Sequence, residues 1–271
     1  YETVPLAKYD LRQIIIDNIP DALPKYNKPC TLADVRNGKV TLEQFVSTLN
    51  EEELEAISRG DYTMNSPLGA KGNAAVYGGV LESMRKKGIP PVTTTDGPSG
   101  IRLSSCASLM PIGTEIAGSW NTDLANELYT EVGKEMKILG SDVLLAPGIN
   151  IHRNPLCGRN FEYFSEDPYL AGKMAAAYIR GIQSKGVAAC PKHFACNNQE
   201  DNRNFMSSNV SQRALREIYL RNFEIAVKEG KPLTIMTSYN KVNGVWSHYN
   251  YDLVTTVLRK EWGFDGCVIT D

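Results

Sequence analysis

Polar and charged side chains follow several apolar runs of this sequence at the point where each run ends. Asp96 follows PPVTTT, Lys192 and His193 follow VAACP, Tyr239 follows PLTIMTS, and Asp271 follows CVIT. Further candidates come from the runs themselves or from the segments after them: Arg159, Arg203 and Met236. If the runs are parallel strands, all of these groups lie on one face of the sheet or barrel.

The residue types in this set match a neutral ligand that carries many hydroxyl groups. Carboxylates accept hydrogen bonds from paired hydroxyls, and guanidinium groups donate to them in a fixed fork. Aromatic faces suit the C–H side of a sugar ring. The segment DGPSG after the first run lacks the glycine spacing of both common phosphate-binding loops, so phosphate and nucleotide substrates are not favoured.

Helix signals alternate with the apolar runs in the second part of the chain. Asn121, Asp167, Ser211 and Asp252 each precede a helical pattern and are predicted to be N-caps. Strands that alternate with helices indicate parallel βαβ units, and apolar runs without clean alternation indicate strands covered on both faces. An open doubly wound sheet and a closed barrel both fit this pattern.

The N-terminal part of the sequence has a different character. Residues 1–40 mix Pro, Lys and Asp with one short apolar run, and they predict a linker or inter-domain segment. Thr41 with Gln44, and Asn50 with Glu53, form capping boxes that predict two short helices. A glycine-rich loop, MNSPLGAKGNAAVYGG, is predicted to follow them.

Composition narrows the possible partners and cofactors. The net charge is −2 with Lys and Arg spread along the chain, so no basic face for nucleic acid is expected. No apolar stretch reaches the roughly 18 residues of a membrane-spanning helix. The six cysteines are expected to be reduced thiols in a cytoplasmic protein. Cys190, His193 and Cys196 cannot converge from one strand, so neither a metal nor another cofactor is expected.

Five ordered motifs resemble those of glycoside hydrolase family 3, the β-glucosidase-like enzymes: DGPSGIR, APGINIHRNPLCGRNFEYFSEDP, PKHFACNNQEDNR, IMTSYNKVNG and EWGFDGCVITD. The similarity extends from about Pro90 to Asp271. It implies an α/β fold, a (β/α)8-type TIM barrel that is incomplete or irregular. Residues 41–271 would form part of that barrel after the N-terminal linker or helical extension, with the remaining domains outside this chain.

The resemblance also implies roles for individual residues. Asp271 corresponds to the catalytic nucleophile, and Lys192 and Arg159 are expected to lower its pKa. The residues that correspond to substrate-binding groups are Asp96, Arg159, Lys192, His193, Arg203, Met236 and Tyr239. The segment KHFACNN departs from the KHFPGHG of the N-acetylglucosaminidase branch. The acid–base residue is therefore expected to be a Glu in a further domain or a second chain.

These inferences predict a retaining, exo-acting β-glycosidase that forms a covalent glycosyl-enzyme, with a β-glucoside or oligosaccharide as substrate. A β-glucosidase is the first interpretation, and a β-xylosidase of the same family is an alternative because loss of a hydroxymethyl group changes few contacts. A catalytically silent sugar-binding subunit is another, which the presence of Asp271 disfavours. A lyase or aldolase barrel would need a Schiff-base lysine in an apolar pocket, whereas Lys192 is flanked by His and Arg candidates.

Overall fold

The computed structural model describes residues 3–6 and 10–271, in which strands and helices alternate. The strands are β1 Ala75–Gly78, β2 Pro91–Thr95, β3 Val143–Leu144, β4 Ala188–Ala189, β5 Ser207–Ser208, β6 Thr234–Met236, β7 Lys241–Val242, β8 Val245–Trp246 and β9 Cys267–Ile269. The α-helices are α1 Leu11–Asp17, α2 Leu32–Arg36, α3 Leu42–Val46, α4 Glu51–Arg59, α5 Glu82–Lys86, α6 Gly113–Gly118, α7 Thr122–Leu139, α8 Pro168–Gln183, α9 Gln212–Ala214 and α10 Arg221–Ile225. Segments of π-helix span Leu215–Tyr219, Ala226–Gly230 and Asp252–Glu261, and a 3₁₀ turn spans Ser247–Tyr249.

Parallel strands follow one another in chain order around a curved wall. β2 pairs with β3, β3 with β4, and β6 with β9, each in parallel. The segment after β4 reaches β6 through a parallel bridge between Phe194 and Thr237, and the Thr234 hydroxyl donates to the Ala189 carbonyl at 3.0 Å. This order runs without the reversal of a doubly wound sheet, so the fold is an incomplete α/β barrel.

The first strand of the wall departs from the parallel pattern. β1 runs antiparallel to β2, with Ala75 opposite Thr94. The sequence predicted a glycine-rich loop here, because a strand of four residues beside glycines has no clear periodicity. A Cβ at Gly78 would lie 2.7 Å from the Pro90 carbonyl oxygen, and the residue has a φ of +80°. A glycine at this position therefore permits the close approach of the two strands.

Most helices begin at a side chain that caps the first turn, and three of the four predicted N-caps, Asn121, Asp167 and Ser211, are confirmed. Asn121 Oδ1 accepts from the N–H of Leu124 at 3.0 Å at the start of α7. Asp167 Oδ1 accepts from the N–H of Tyr169 at 2.7 Å at the start of α8, and the Ser211 side chain caps α9. Both predicted capping boxes are also formed, at the starts of α3 and α4.

The prediction that Asp252 caps the last helix is wrong. Asp252 lies inside the first turn of the π-helical segment that ends at Glu261. Asn250 Oδ1 instead accepts from the N–H of Leu253 at 3.1 Å. The side chain two residues earlier takes the cap position because it can reach the free N–H group of the first turn.

Helices α7 and α8 lie side by side over the wall and form much of the core. Their backbones come close at Gly181, where a Cβ would lie 2.5 Å from the Asn126 carbonyl oxygen. The Asn126 amide also donates to the Ala177 carbonyl at 3.0 Å. The buried rings of Tyr129 and Tyr178 stack beside this crossing. A glycine at this position therefore lets the two helices pack at short range.

Part of the N-terminal segment packs against the helices that follow it. Residues 1–2 and 7–9 of the predicted 1–40 linker lie outside the described residues, and the rest includes α1 and α2. Leu32 and Val35 pack against a small apolar cluster that contains Phe45 and Met84. The division of the chain at residue 40 stays a prediction. Within the described ranges, the structure has no helix that is long and apolar enough to cross a membrane.

Candidate active site

The predicted site residues lie beyond the carboxyl ends of the parallel strands or at those ends. Asp96 directly follows β2, Met236 ends β6, and Asp271 stands just past β9. The loop that leaves β3 carries Arg159, and the segment that leaves β4 carries Lys192, His193 and Arg203. Tyr239 follows β6. Direct contacts connect most of this set.

Asp96 and Lys192 form the first of these contacts. Lys192 Nζ donates to Asp96 Oδ1 at 2.7 Å, and Arg102 donates to Asp96 Oδ2 at 3.2 Å. Burial raises the pKa of Asp96, but Lys192 above all, with the Gly97 N–H and Arg102, outweighs it and leaves the pKa below its ordinary value. Asp96 is therefore an ionised acceptor beside a fixed ammonium group.

Arg159 is held on three sides by other polar groups. Its Nε donates to Glu162, and its Nη2 lies 3.0 Å from His193 Nε2. Its Nη1 lies 4.0 Å from Glu200 Oε1. Because guanidinium is planar and these partners lie around it, its orientation is set by the protein.

Arg203 extends this network toward Tyr239. Arg203 Nη1 donates to Glu200 Oε2 at 2.5 Å, and its guanidinium carbon lies 4.6 Å from the centre of the Tyr239 ring. Burial and the nearby Asp271 carboxylate raise the pKa of Tyr239, which places Tyr239 and Asp271 next to each other. Glu200, which the sequence left open between a ligand contact and an ion pair with Arg203, forms that ion pair.

His193 is buried at the centre of the network. Its Nδ1 lies 3.1 Å from Asn150 Oδ1 and 3.2 Å from the Tyr163 hydroxyl. Burial, together with the positive charges of Arg159, Lys192 and Arg203, holds the pKa of His193 well below its ordinary value. The imidazole is therefore neutral across the usual working range of pH.

Asp271 lies against His193 and Tyr239. Its Oδ2 is 3.6 Å from His193 Nε2, and its side chain is 14 % exposed. Burial raises the pKa of Asp271, and it outweighs the lowering by Lys192, by the Tyr239 hydroxyl and by Arg159 and Arg203. Lys192 and Arg159 therefore lower this pKa, as expected, but desolvation is the larger effect and leaves the pKa above its ordinary value.

Met236 shares a cavity with Asp271 on the inner side of the wall. The cavity has a volume of about 440 Å³, and Leu145 and Val268 also line it. Met236 is buried, and its backbone N–H donates to the Pro191 carbonyl at 3.1 Å. Of the predicted site residues, only Met236 and Asp271 line this cavity, so Met236 forms an apolar boundary next to Asp271. Among residues 3–6 and 10–271, no group of three His, Cys, Asp or Glu side chains is arranged to hold a metal ion.

Sequence reasoning missed two residues of the network, Asn150 and Tyr163. Both are fully enclosed, and each contacts the ring of His193. A single Asn and a single Tyr have no characteristic spacing that would indicate such a role. The one available signal is that both lie in the segment APGINIHRNPLCGRNFEYFSEDP.

Comparisons with known proteins agree with this geometry. The model of the glycosyl hydrolase family 3 N-terminal domain matches residues 43–271. This chain belongs to glycosyl hydrolase family 3. A β-glucosidase from Ruminococcus albus is 48 % identical over 274 residues, a match that covers 100 % of this family 3 chain and 29 % of the relative.

Solved structures show the same relationship. The crystal structure of a β-glucosidase from Paenibacillus barengoltzii superposes with a TM-score of 0.94 at 53 % identity, over 100 % of this family 3 chain and 29 % of that protein. β-Glucosidase 3B from Thermotoga neapolitana in complex with α-D-glucose superposes with a TM-score of 0.80 at 42 % identity, over 86 % of this chain and 34 % of that protein. The chain therefore spans about a third or less of the length of these relatives.

Proposed function

We propose that this chain provides the nucleophile and the sugar pocket of a retaining, exo-acting β-glucosidase. The observation that carries the proposal is the chain of contacts that ends at Asp271. His193 lies 3.6 Å from Asp271 and 3.0 Å from Arg159, and the Tyr239 hydroxyl is near enough to Asp271 to lower the pKa of that carboxylate, which burial raises. Relatives that are named β-glucosidases support the choice of sugar.

The proposed reaction has two steps. An oxygen of Asp271 attacks the anomeric carbon, a bond forms between them, and the glycosidic C–O bond breaks as an acid protonates the departing oxygen. The same acid, now a base, takes a proton from water, which attacks the anomeric carbon and releases Asp271. The sugar leaves with its original anomeric configuration.

The remaining groups would bind the hydroxyls of the terminal sugar. Asp96 accepts hydrogen bonds, whereas Lys192 and Arg159 donate them, so together they match vicinal hydroxyls. Arg203 braces the Tyr239 ring, and Met236 forms an apolar boundary next to Asp271. Such a pocket would bind the terminal sugar residue of a saccharide, as an exo-acting enzyme requires.

We further propose that the acid–base residue is a Glu in another domain or a second chain. A retaining enzyme needs it about 5–5.5 Å from the nucleophile. Among the described residues, the carboxylates of Glu162, Glu200 and Asp96 lie in this network, and they are already engaged by Arg159, Arg203 and Lys192. Each therefore has a cation partner instead of the free position that a proton donor needs.

Covalent trapping tests the nucleophile. The complete enzyme is incubated with an activated 2-deoxy-2-fluoro-β-glucoside, and its peptides are mapped by mass spectrometry. The expected result is one sugar on Asp271, absent in Asp271→Asn and unchanged in the control Asp265→Asn, which alters an exposed carboxylate in the same tryptic peptide. An active enzyme with no adduct on Asp271 would overturn the proposal, and sugar binding without any adduct would indicate the silent subunit.

A substrate comparison tests the sugar. We expect kcat/KM for an aryl β-glucoside to exceed that for the matching β-xyloside, because binding of the hydroxymethyl group adds to transition-state stabilisation. A higher value for the xyloside would identify a β-xylosidase instead.

We propose a cytoplasmic location as well. It is supported by the six cysteines, all of which are free thiols in the structure. Fractionation of the source cells tests this location, and recovery of the protein from the medium would contradict it.

A further inference from the structure

The Asn150 side chain contacts both the backbone and the ring of His193. Asn150 Oδ1 accepts from the His193 N–H at 2.8 Å, and Asn150 Nδ2 donates to the His193 carbonyl at 2.9 Å. The same Oδ1 lies 3.1 Å from the ring atom Nδ1. Asn150 and His193 are 2 % and 1 % exposed, so water does not compete for these contacts.

These contacts determine which ring nitrogen carries the proton. The backbone contacts orient the Asn150 amide, because its NH₂ group must face the carbonyl and its oxygen must face the N–H. The oxygen therefore also faces Nδ1, which must donate. On the other side of the ring, Arg159 can only donate, so Nε2 must accept from it at 3.0 Å. Both sides of the ring require the same tautomer.

We propose that Asn150 is a positioning residue that holds His193 as the neutral Nδ1–H tautomer, so that no imidazolium forms beside the nucleophile. The inference rests on the proposed function, in which Asp271 must be a free carboxylate. A proton on Nε2, only 3.6 Å from Asp271 Oδ2, would bind that carboxylate and repel the Arg159 guanidinium. Asn150 thereby keeps the Asp271 carboxylate free and preserves the orientation of the Arg159 guanidinium.

The charged groups around His193 act in the same direction, with one exception. Arg159, Lys192 and Arg203 disfavour a charged ring, whereas Asp271 favours it. Tyr163 contacts Nδ1 as a neutral hydroxyl. The carboxylates of Glu162 and Glu200 contact guanidinium groups of this network. The Asn150 amide adds no charge, which keeps the balance in favour of the neutral ring.

Replacing that amide by a carboxylate tests the proposal in the complete enzyme. Asn150→Asp places a negative charge against Nδ1 and should raise the pKa of His193. We expect kcat/KM to fall more at low pH than it does in the wild type, because the charged ring then binds the Asp271 carboxylate, with activity recovering toward the wild-type value at higher pH. The control Asn198→Asp adds the same charge nearby, at a side chain that bonds the Ile151 carbonyl.

A purely structural role for Asn150 predicts a loss that is equal at every pH, and this result would overturn the proposal. Nitrogen-15 NMR of histidine-labelled wild-type enzyme provides a test that needs no activity, with His193→Gln identifying the signals. We expect Nδ1 to resonate as a protonated nitrogen and Nε2 as an unprotonated one. The reverse tautomer or a charged ring would refute the inference. The expected tautomer in an enzyme that hydrolyses no glycoside would instead refute the proposed function.

Discussion

The charge on Asp271 depends on two opposing influences, burial and the neighbouring cations. Burial raises its pKa, and Lys192 gives the largest opposing contribution. In the proposed mechanism Asp271 must be ionised to attack, so activity is expected to be lost as the pH falls through this pKa. The acidic limb of the pH profile should therefore respond to any change in either influence.

Lys192→Met removes the cation that lowers the pKa of Asp271, the proposed nucleophile, the most. The pKa of Asp271 should rise further, and the acidic limb of kcat/KM should move to higher pH. The pH profile of the complete enzyme measures this, with Lys173→Met as a control because Lys173 lies on α8 and pairs with Glu229. An acidic limb that stays in place in Lys192→Met would show that another group sets it.

Glu162→Gln tests the orientation of Arg159. The substitution keeps the shape of the side chain but removes the charge that accepts from Arg159 Nε. Loss of a charge-assisted hydrogen bond of about 1.5–3 kcal/mol corresponds to a fall in kcat/KM of roughly 10- to 100-fold. Steady-state kinetics checks it. Glu166→Gln, in the same loop but exposed, should remain within about twofold of the wild type; an equal loss in both variants would contradict the role of Glu162.

At the residue scale, sequence reasoning found the charged groups and missed their supports. Asp96, Lys192 and Asp271 stand out because each follows an apolar run and lies in a family motif. Asn150 and Tyr163 do not, because their importance depends on which atoms surround them. The lowering of the Asp271 pKa by Lys192 and Arg159 was predicted, but the larger effect of burial was not, because a sequence shows neighbouring charges and not how far the fold excludes water.

At the element scale, the crossing of α7 and α8 depends on Gly181. Gly181→Ala places a Cβ where only 2.5 Å separates it from the Asn126 carbonyl oxygen, a backbone atom that cannot move without shifting the helix. We expect a loss of about 1–3 kcal/mol in the free energy of unfolding, measured by urea denaturation.

Gly118→Ala is the matched control for that substitution. A Cβ at Gly118 meets no atom within 4 Å, so alanine should leave stability unchanged or raise it by up to about 1 kcal/mol. Equal effects of the two substitutions would show that helix propensity, and not the crossing, determines the result.

Element boundaries could be predicted where one local contact decides them. Asn121, Asp167 and Ser211 cap their helices by bonding the next turn, and that geometry is contained in a few residues. The prediction that Asp252 is a cap was wrong because Asn250, which is also a good cap, lies two residues earlier and accepts from the Leu253 N–H. β1 was missed because its pairing with β2 is a tertiary contact, and a strand of this length has no periodic pattern that would predict it from the sequence.

At the scale of the whole molecule, the sequence pattern alone left a barrel and a doubly wound sheet open. The distinction lies in the order of strands, which no local signal contains. The family motifs favoured the barrel, and the sequential pairing from β2 to β9 confirms it in incomplete form. The position of the acid–base residue stays a prediction.

The proposal places the nucleophile in this 271-residue polypeptide and the acid–base residue elsewhere, and this predicts the activity of the polypeptide by itself. Without a positioned acid, turnover of an alkyl β-glucoside should fall by about 10²- to 10⁴-fold relative to the complete enzyme. Rates are compared after circular dichroism has shown that the polypeptide is folded. Turnover equal to that of the complete enzyme would place the acid within these residues.

β9 has β6 on one side and, among the described residues, no strand on the other. Its outward N–H and C=O groups thus form a template on which a second molecule can add its own strand. Preparations of this polypeptide should accordingly self-associate as concentration rises, and light scattering would reveal it. We expect the further domain or second chain that supplies the acid–base residue also to cover this edge of β9. Adding it would then both prevent self-association and increase turnover.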